Sequence, residues 1–247
     1  MKLLLEISYD GTAYHGFQVQ PNLPTVQGTL QKHIEKLLSQ QVKLTGCSRT
    51  DAGVHARQFF CSVECESTTV PIDKIPLVLN NALPVDIAVR AAKTVPDSFH
   101  VRYDVVEKEY VYQINNSITP NPLEHRYMWH ISRRSLDIEA MILAAAKIEG
   151  KRDWSSFMAQ GSKIIDAVRD VKYCKVMQNG SRIDIAVCAD GFLYNMVRII
   201  AGTLVWVGKN KLRPKDVEWI IASQTRSDGM TAPPQGLFLQ KVLYKSE

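Results

Sequence analysis

Gly46-Cys47-Ser48-Arg49-Thr50-Asp51-Ala52-Gly53-Val54-His55-Ala56-Arg57 sets one carboxylate, Asp51, between the cations Arg49 and Arg57 in a run of small residues. Gly46, Ser48, Ala52 and Gly53 carry little or no side chain, so a second backbone or a flat ligand can come close to Asp51. Arg49 lies two residues away, and its planar fork suits a phosphate or a carboxylate. From Val54 the chain reads as extended, which predicts that His55, Arg57, Phe59, Cys61 and Val63 share one strand face. By residue type alone the string is a Gly-rich turn whose Asp caps its own backbone. The rest of the chain decides whether it is more.

Working outward towards the N-terminus, Lys2 to Tyr9 alternates and reads as a strand, ended by the turn signal Asp10-Gly11. Tyr14-His15-Gly16-Phe17-Gln18-Val19-Gln20 is an aromatic, amide-rich loop, and Pro21 to Pro24 forbids helix. Thr25 is placed to cap a helix over about Val26 to Leu38, with Leu30, Ile34, Leu37 and Leu38 on one face. Beyond the central string, Val70 to Leu83 holds a short helical pattern among Pro71, Pro76 and Pro84. Asp86 to Ala92 reads as a strand. Glu107 to Ile114 is another, with Tyr110, Tyr112 and Ile114 on one face.

The second half repeats this plan loosely. Asn115 to His130 is a long connection rich in Pro and Asn. Ser135 or Asp137 starts a helix to about Lys147, stopped by Gly150. Val168 to Met177 and Arg182 to Ala189 form a hairpin about Asn179-Gly180. Asp190-Gly191 leads into a helix over Phe192 to Val207, apolar nearly all round. Pro214 fits the first turn of a last helix to about Ser223, and Leu237 to Leu243 closes as a strand. Each half has a strand ending in Asp-Gly, an aromatic entry and a long helix. The expected class is α+β: two related ferredoxin-like halves sharing a mostly antiparallel sheet flanked by helices, with a cleft between them. The first half, 1–105, carries the Asp51 loop, and the second, 106–247, completes the cleft.

At 247 residues, 45% apolar and 22% charged, the chain has the composition of a soluble globular protein with a substantial core. A net charge of +5 and a pI near 8.9 lean mildly towards a polyanionic partner. Five cysteines without a CxxC pair fit neither a zinc site nor a disulfide framework, so a reducing cytoplasm is expected. Glu6 and Asp10 interrupt the apolar start, which argues against a signal peptide. No run reaches the roughly 18 to 20 apolar residues that cross a bilayer. No GxxxxGK[ST], GxGxxG or HExxH string is present, which disfavours nucleoside triphosphates and dinucleotides.

Three further places draw attention. Arg198 lies within Phe192-Leu193-Tyr194-Asn195-Met196-Val197-Arg198-Ile199-Ile200-Ala201-Gly202, a helix too apolar to sit at the surface. Its guanidinium either reaches out to solvent or meets a carboxylate inside. Tyr110 on its strand is of a type that is usually core. Phe99-His100-Val101-Arg102 ends a strand with two groups that suit a phosphate or plain solvation.

Arg49-Thr50-Asp51-Ala52-Gly53-Val54-His55-Ala56 resembles the signature of the TruA family of tRNA pseudouridine synthases, although Ser48 stands where that family often has Gly. Asp10 to Gln18, Val26 to Leu30, Phe99 to Arg102, Tyr110-Val111-Tyr112, Met196-Val197-Arg198 and Thr231 to Leu239 resemble further family blocks in the family's order. The resemblance implies that Asp51 is the catalytic nucleophile or base and that Arg198 pairs with it and keeps it anionic. It implies that Tyr110 stacks on the target base, worth on the order of 1 to 3 kcal/mol, and that Leu237 lines the uracil pocket. Arg49 would fill the space left by the flipped nucleotide, and His55, Arg57, His100 and Arg102 would touch RNA. The implied activity is conversion of uridines 38, 39 and 40 of the tRNA anticodon stem-loop to pseudouridine. A homodimer, one tRNA across both subunits, no metal and no cofactor complete the expectation.

Overall fold

The computed structural model describes residues 1–132, 136–161, 166–224 and 231–245. The chain divides into two compact units, Met1–Val106 with Phe238–Glu247, and Glu107–Leu237. The closing strand therefore belongs with the first unit, whereas the sequence division at 105 and 106 assigned it to the second half.

In the first unit, strand β1 (Lys2–Tyr9) is followed by helix α1 (Val26–Leu38), β2 (Lys43–Gly46), β3 (His55–Glu64), α2 (Ile75–Asn80) and β4 (Ile87–Val95). Thr25 caps α1 as expected, its hydroxyl accepting the Gly28 amide at 3.2 Å. Val26, Leu30 and Ile34 turn inward, and Leu37 and Leu38 line the same interior. β1 lies between β3 and β4, antiparallel to both. The other edge of β3 takes β2 antiparallel along Cys61–Glu64 and the last strand in parallel along His55 and Ala56.

The expected common face of β3 breaks at one point. Ile7 pairs with Phe59 but Tyr9 with Ala56, so three steps of β3 oppose two of β1. This bulge re-aims the strand's first residues. Phe59, Cys61 and Val63 are buried together beyond it, while Arg57 is exposed.

In the second unit, β5 (Val105–Asn115, its first two residues in the first unit) leads to β6 (Trp129–His130), α3 (Ile138–Ala145), β7 (Gly150–Asp153), β8 (Val168–Asn179) and β9 (Arg182–Ala189). Helices α4 (Met196–Gly208) and α5 (Asp216–Ser223) follow, and β10 (Leu237–Tyr244) is the last strand, returning to the first unit. The sheet runs β5-β9-β8-β7 antiparallel, with β6 parallel to β5. Within each unit the strands pair mostly antiparallel with one parallel pair, and the class is α+β.

Asp137 caps α3, accepting the Ala140 amide at 2.9 Å; the alternative start, Ser135, lies outside the described residues. The β8–β9 hairpin pairs Asn179 with Arg182, so its two-residue turn is Gly180-Ser181, one position later than expected. Gly180 has φ +59, a conformation that glycine takes at no steric cost. The expected helix over Phe192–Val207 begins only at Met196, because Asn195 sits at φ 59 and breaks the helical path. Phe192 is thereby released to pack against Tyr110, with ring centroids 5.1 Å apart. Of the thirteen residues of α4, only Arg198 and Trp206 are not buried. None of the described helices is long and apolar enough to cross a membrane.

Candidate active site

The Asp51 loop is held by the turn that follows β1. Phe17 N–H donates to the Thr50 carbonyl at 3.2 Å, and Gly53 N–H to the Tyr14 carbonyl at 3.2 Å. Val54 N–H closes the loop on the Asp51 carbonyl, also at 3.2 Å. Gly16 lies so close that a Cβ there would stand 2.4 Å from the Thr50 oxygen, and its φ is +88. Gly11 is equally crowded, at 2.0 Å from the Val54 carbonyl oxygen. These glycines let two backbones touch. The Asp-Gly and aromatic stretch and the Asp51 string, forty residues apart in sequence, form one object.

Side chains complete it. The Tyr9 hydroxyl and the Thr50 hydroxyl are 2.8 Å apart and buried. Tyr9 packs edge-on to Phe59, and Phe17 stacks on Phe59 with ring centroids 4.2 Å apart. Tyr14 donates its hydroxyl proton to Asp86 at 2.6 Å. Burial, then this bond to a carboxylate, pushes the Tyr14 phenol well above its ordinary range. At the loop's base Cys47 exchanges contacts with Phe60, its N–H reaching the Phe60 carbonyl at 2.9 Å and its Sγ accepting the Phe60 amide at 3.4 Å. Asp51 itself is half-buried, and Arg49 is exposed.

His55 is not at the surface. Its ring is 1% exposed and stacks on Phe238 at 4.7 Å. Nδ1 stands 3.0 Å from the Gly11 amide and 3.1 Å from Asp10 Oδ1. One nitrogen cannot accept from an amide and donate to a carboxylate together. The amide proton has a fixed direction, so we assign Nδ1 as acceptor and the proton to Nε2. Asp10 Oδ1 in turn accepts from Thr12 N and Oγ1. A ring so covered holds the loop base and offers no surface to RNA. Arg57 is exposed, its guanidinium 4.9 Å from the centre of the Phe238 ring.

His100 and Arg102 are in the same unit on another segment. His100 Nδ1 accepts the amides of Arg102 and Tyr103, at 3.2 and 3.1 Å, so it ties a turn. Arg102 is exposed.

In the second unit Arg198 meets backbone and amide partners. Nε donates to the Ala232 carbonyl at 2.8 Å and Nη1 to Asn195 Oδ1 at 2.9 Å. The Ala232 amide returns a bond to the Arg198 carbonyl at 3.0 Å. Next along, the Tyr112 hydroxyl donates to the Pro233 carbonyl at 2.8 Å. Tyr112 is fully buried, and that burial raises its phenol far above the ordinary range, against the opposing pull of Arg198. A Cβ on Gly236 would press to 2.8 Å on both the Tyr112 ring and the Gln113 carbonyl. Residues 232–237, ending in buried Leu237, are thus fixed to α4 by Arg198 and to β5 by Tyr112. Tyr110, two residues from Tyr112 on β5, is 6% exposed and meets Phe192 edge to face.

Asp51, Arg49, His55 and Arg57 therefore lie around one loop, and Arg198, Tyr112 and Leu237 around one segment. Sequence reasoning missed Asn195, Tyr9 and Thr50 as partners. The only sequence signal for Asn195 was its residue type, since Asn tolerates positive φ better than most.

A family model described as tRNA pseudouridine synthase matches residues 7–104 and 144–245. These stretches contain every candidate residue named above except Tyr110 and Tyr112, which fall between them. The chain is similar to tRNA pseudouridine synthase A of Thermoanaerobacter sp., 45% identical over 98% of this chain and 99% of that protein. It is similar as well to the proteins of that name from Ruminiclostridium cellulolyticum and Moorella thermoacetica, each 42% identical with the same 98% and 99% coverage.

Proposed function

The chain belongs to the tRNA pseudouridine synthase family, and from that premise we propose that it isomerises uridine to pseudouridine in tRNA. The substrate positions are uridines 38, 39 and 40 of the anticodon stem-loop, and Asp51 is the catalytic nucleophile or base. The observation that carries this reading is the 45% identity extending over 98% of the chain. Support comes from the Asp51 loop, whose backbone is fixed from both sides.

The reaction breaks the N1–C1′ bond, turns the uracil and joins C5 to C1′. The C5 proton leaves and N1 gains one, so nothing is oxidised and no group departs. One carboxylate suffices, either attacking C1′ or removing a proton from the sugar. A second acid–base carboxylate of the kind glycoside hydrolases need is not required. The first unit supplies that carboxylate. The family resemblance gives Arg198 the task of keeping that carboxylate anionic, Tyr110 that of stacking on the extruded uracil, and Leu237 that of lining the base pocket. Tethers to Ala232 and Asn195 support the Arg198 role, because they fix the direction of its guanidinium. Arg49 occupies the space the flipped nucleotide leaves, and exposed Arg57 and Arg102 contact phosphates. The net charge of +5 fits a polyanion. The enzyme acts in the cytoplasm as a homodimer with one tRNA lying across both subunits.

Purified protein incubated with tRNA tritiated at uracil C5 tests this. Release of tritium to water with formation of pseudouridine is expected, and Asp51→Asn should abolish it while tRNA binding persists. Free uracil or an abasic RNA product would instead mean hydrolysis. Activity that survives Asp51→Asn would leave the chain an RNA-binding protein whose carboxylate is incidental.

A further inference from the structure

We propose that Tyr9 is a positioning residue for the reaction, acting on Asp51 through the hydroxyl of Thr50. This deepens the reading above and rests on Asp51 being the reacting carboxylate.

Two hydroxyls meet in an apolar place. Tyr9 is 5% and Thr50 8% exposed, and their oxygens lie 2.8 Å apart. Around them stand Phe17 and Phe59, both fully buried. A phenylalanine at 9 and a valine at 50 would suit such a site by volume alone. Buried hydroxyls are costly unless they meet a partner, so this pair needs a reason beyond filling space.

The reason lies in where Thr50 is. It immediately precedes Asp51, and its own carbonyl is held from the other direction by Phe17 N–H. One peptide is thus gripped at its side chain by β1 and at its carbonyl by the loop that follows β1. On the far side of Asp51 the chain is gripped again, through Gly53 N–H and the Tyr14 carbonyl. Asp51 sits between two anchor points, and only the Tyr9–Thr50 bond among those described here comes from the regular strand.

Strand β1 is bonded on both edges, which holds its atoms in place. A hydroxyl bond from that strand fixes Thr50, and the torsions of Asp51 then inherit its position. Loss of the bond would leave the fold in place and let the carboxylate wander. A displacement of about 1 Å is enough to cost roughly 100-fold in rate.

The test compares Tyr9→Phe, Thr50→Val, their combination and Thr50→Ser, with Asp51→Asn in parallel. Turnover, KM and tRNA affinity are measured on each full-length chain, with a thermal melt to check folding. Tyr9→Phe and Thr50→Val should each lower kcat by roughly 10- to 100-fold, with KM and tRNA affinity unchanged. The double variant should fall no further than the worse single one, because both remove the same bond. Thr50→Ser should keep wild-type turnover. Each single variant reads the bond from one end, so an unfolded chain at one position leaves the other as the test. Wild-type kcat in both single variants, multiplicative losses in the double variant, or a loss confined to tRNA affinity would each overturn the proposal. If Asp51→Asn stays active, the reading of the carboxylate fails, which is a separate result from any of these.

Discussion

Gly16→Ala is the substitution for which the structure gives the firmest number. An alanine Cβ would lie 2.4 Å from the Thr50 carbonyl oxygen, 3.3 Å from the Asp51 carbonyl carbon and 3.4 Å from the Ala52 nitrogen. All three are backbone atoms, which cannot swing aside as a side-chain end does. Holding an L-residue in the left-handed region costs ~1–2 kcal/mol. Forcing a methyl group into a packed site costs about 1–3 kcal/mol more. The sum, ~2–5 kcal/mol, corresponds at roughly 2–4 °C per kcal/mol to a melting point lower by about 4–20 °C. Because the displaced atoms flank Asp51, turnover should fall further than stability, by on the order of 100-fold if the loop moves by ~1 Å. Gly180→Ala is the control. Its φ is +59 but nothing lies within 4 Å of the added Cβ, so only the backbone part applies. Calorimetry gives the melting points, and tritium release from C5-labelled tRNA gives the rates. If Gly16→Ala melts with Gly180→Ala and turns over as the wild type does, the packing argument around Asp51 is wrong.

Arg198→Lys should lower turnover by roughly 10- to 100-fold, the equivalent of about 1.5–3 kcal/mol for lost charged hydrogen bonds. A lysine cannot reproduce bonds from Nε and Nη1 to Ala232 and Asn195 at once, and steady-state kinetics will read the loss. Tyr112→Phe removes the bond to the Pro233 carbonyl and should destabilise by about 1 kcal/mol, read as a shifted urea midpoint. Stability should also decline in alkali. Burial, then the Glu107 carboxylate, raises the Cys188 thiol from 9.0 to about 11. The native thiol thus keeps its proton where the unfolded one has lost it. Its contribution is complete below pH 9 and disappears as pH rises towards 11. Urea midpoints measured across that interval should fall, and a flat profile would contradict the burial. The five cysteines are free and buried, so a thiol reagent should be slow on the native protein and fast on the denatured one.

The regular elements were legible because their causes are local. Thr25 and Asp137 cap their helices through side chains one turn away, and Lys2 to Tyr9 shows its strand by alternation. The short strands Lys43–Gly46, Trp129–His130 and Gly150–Asp153 were not foreseen, because two to four residues carry no periodicity. The late start of α4 turns on Asn195 adopting positive φ, which the apolar run on either side conceals. The bulge in β3 is invisible for the same kind of reason: it depends on the partner strand's register. Asp51 stands out in its string, and the glycines around it signal room for an approach. That the approaching body is the chain's own Gly11–Phe17 turn is a tertiary fact. The assignment of His55 to RNA failed at this point, since a histidine at a strand start looks the same whether it faces solvent or the turn. The fate of the closing strand was equally hidden, because its pairing with His55 and Ala56 joins the chain's end to its first quarter.

The proposed chemistry stands on the carboxylate at position 51. Its most direct test is to map pseudouridine in tRNA from a strain lacking this gene, restored with either the wild-type chain or Asp51→Asn. Pseudouridine at positions 38, 39 and 40 should return with the wild-type chain alone, although both proteins accumulate. Equal restoration by Asp51→Asn would contradict it.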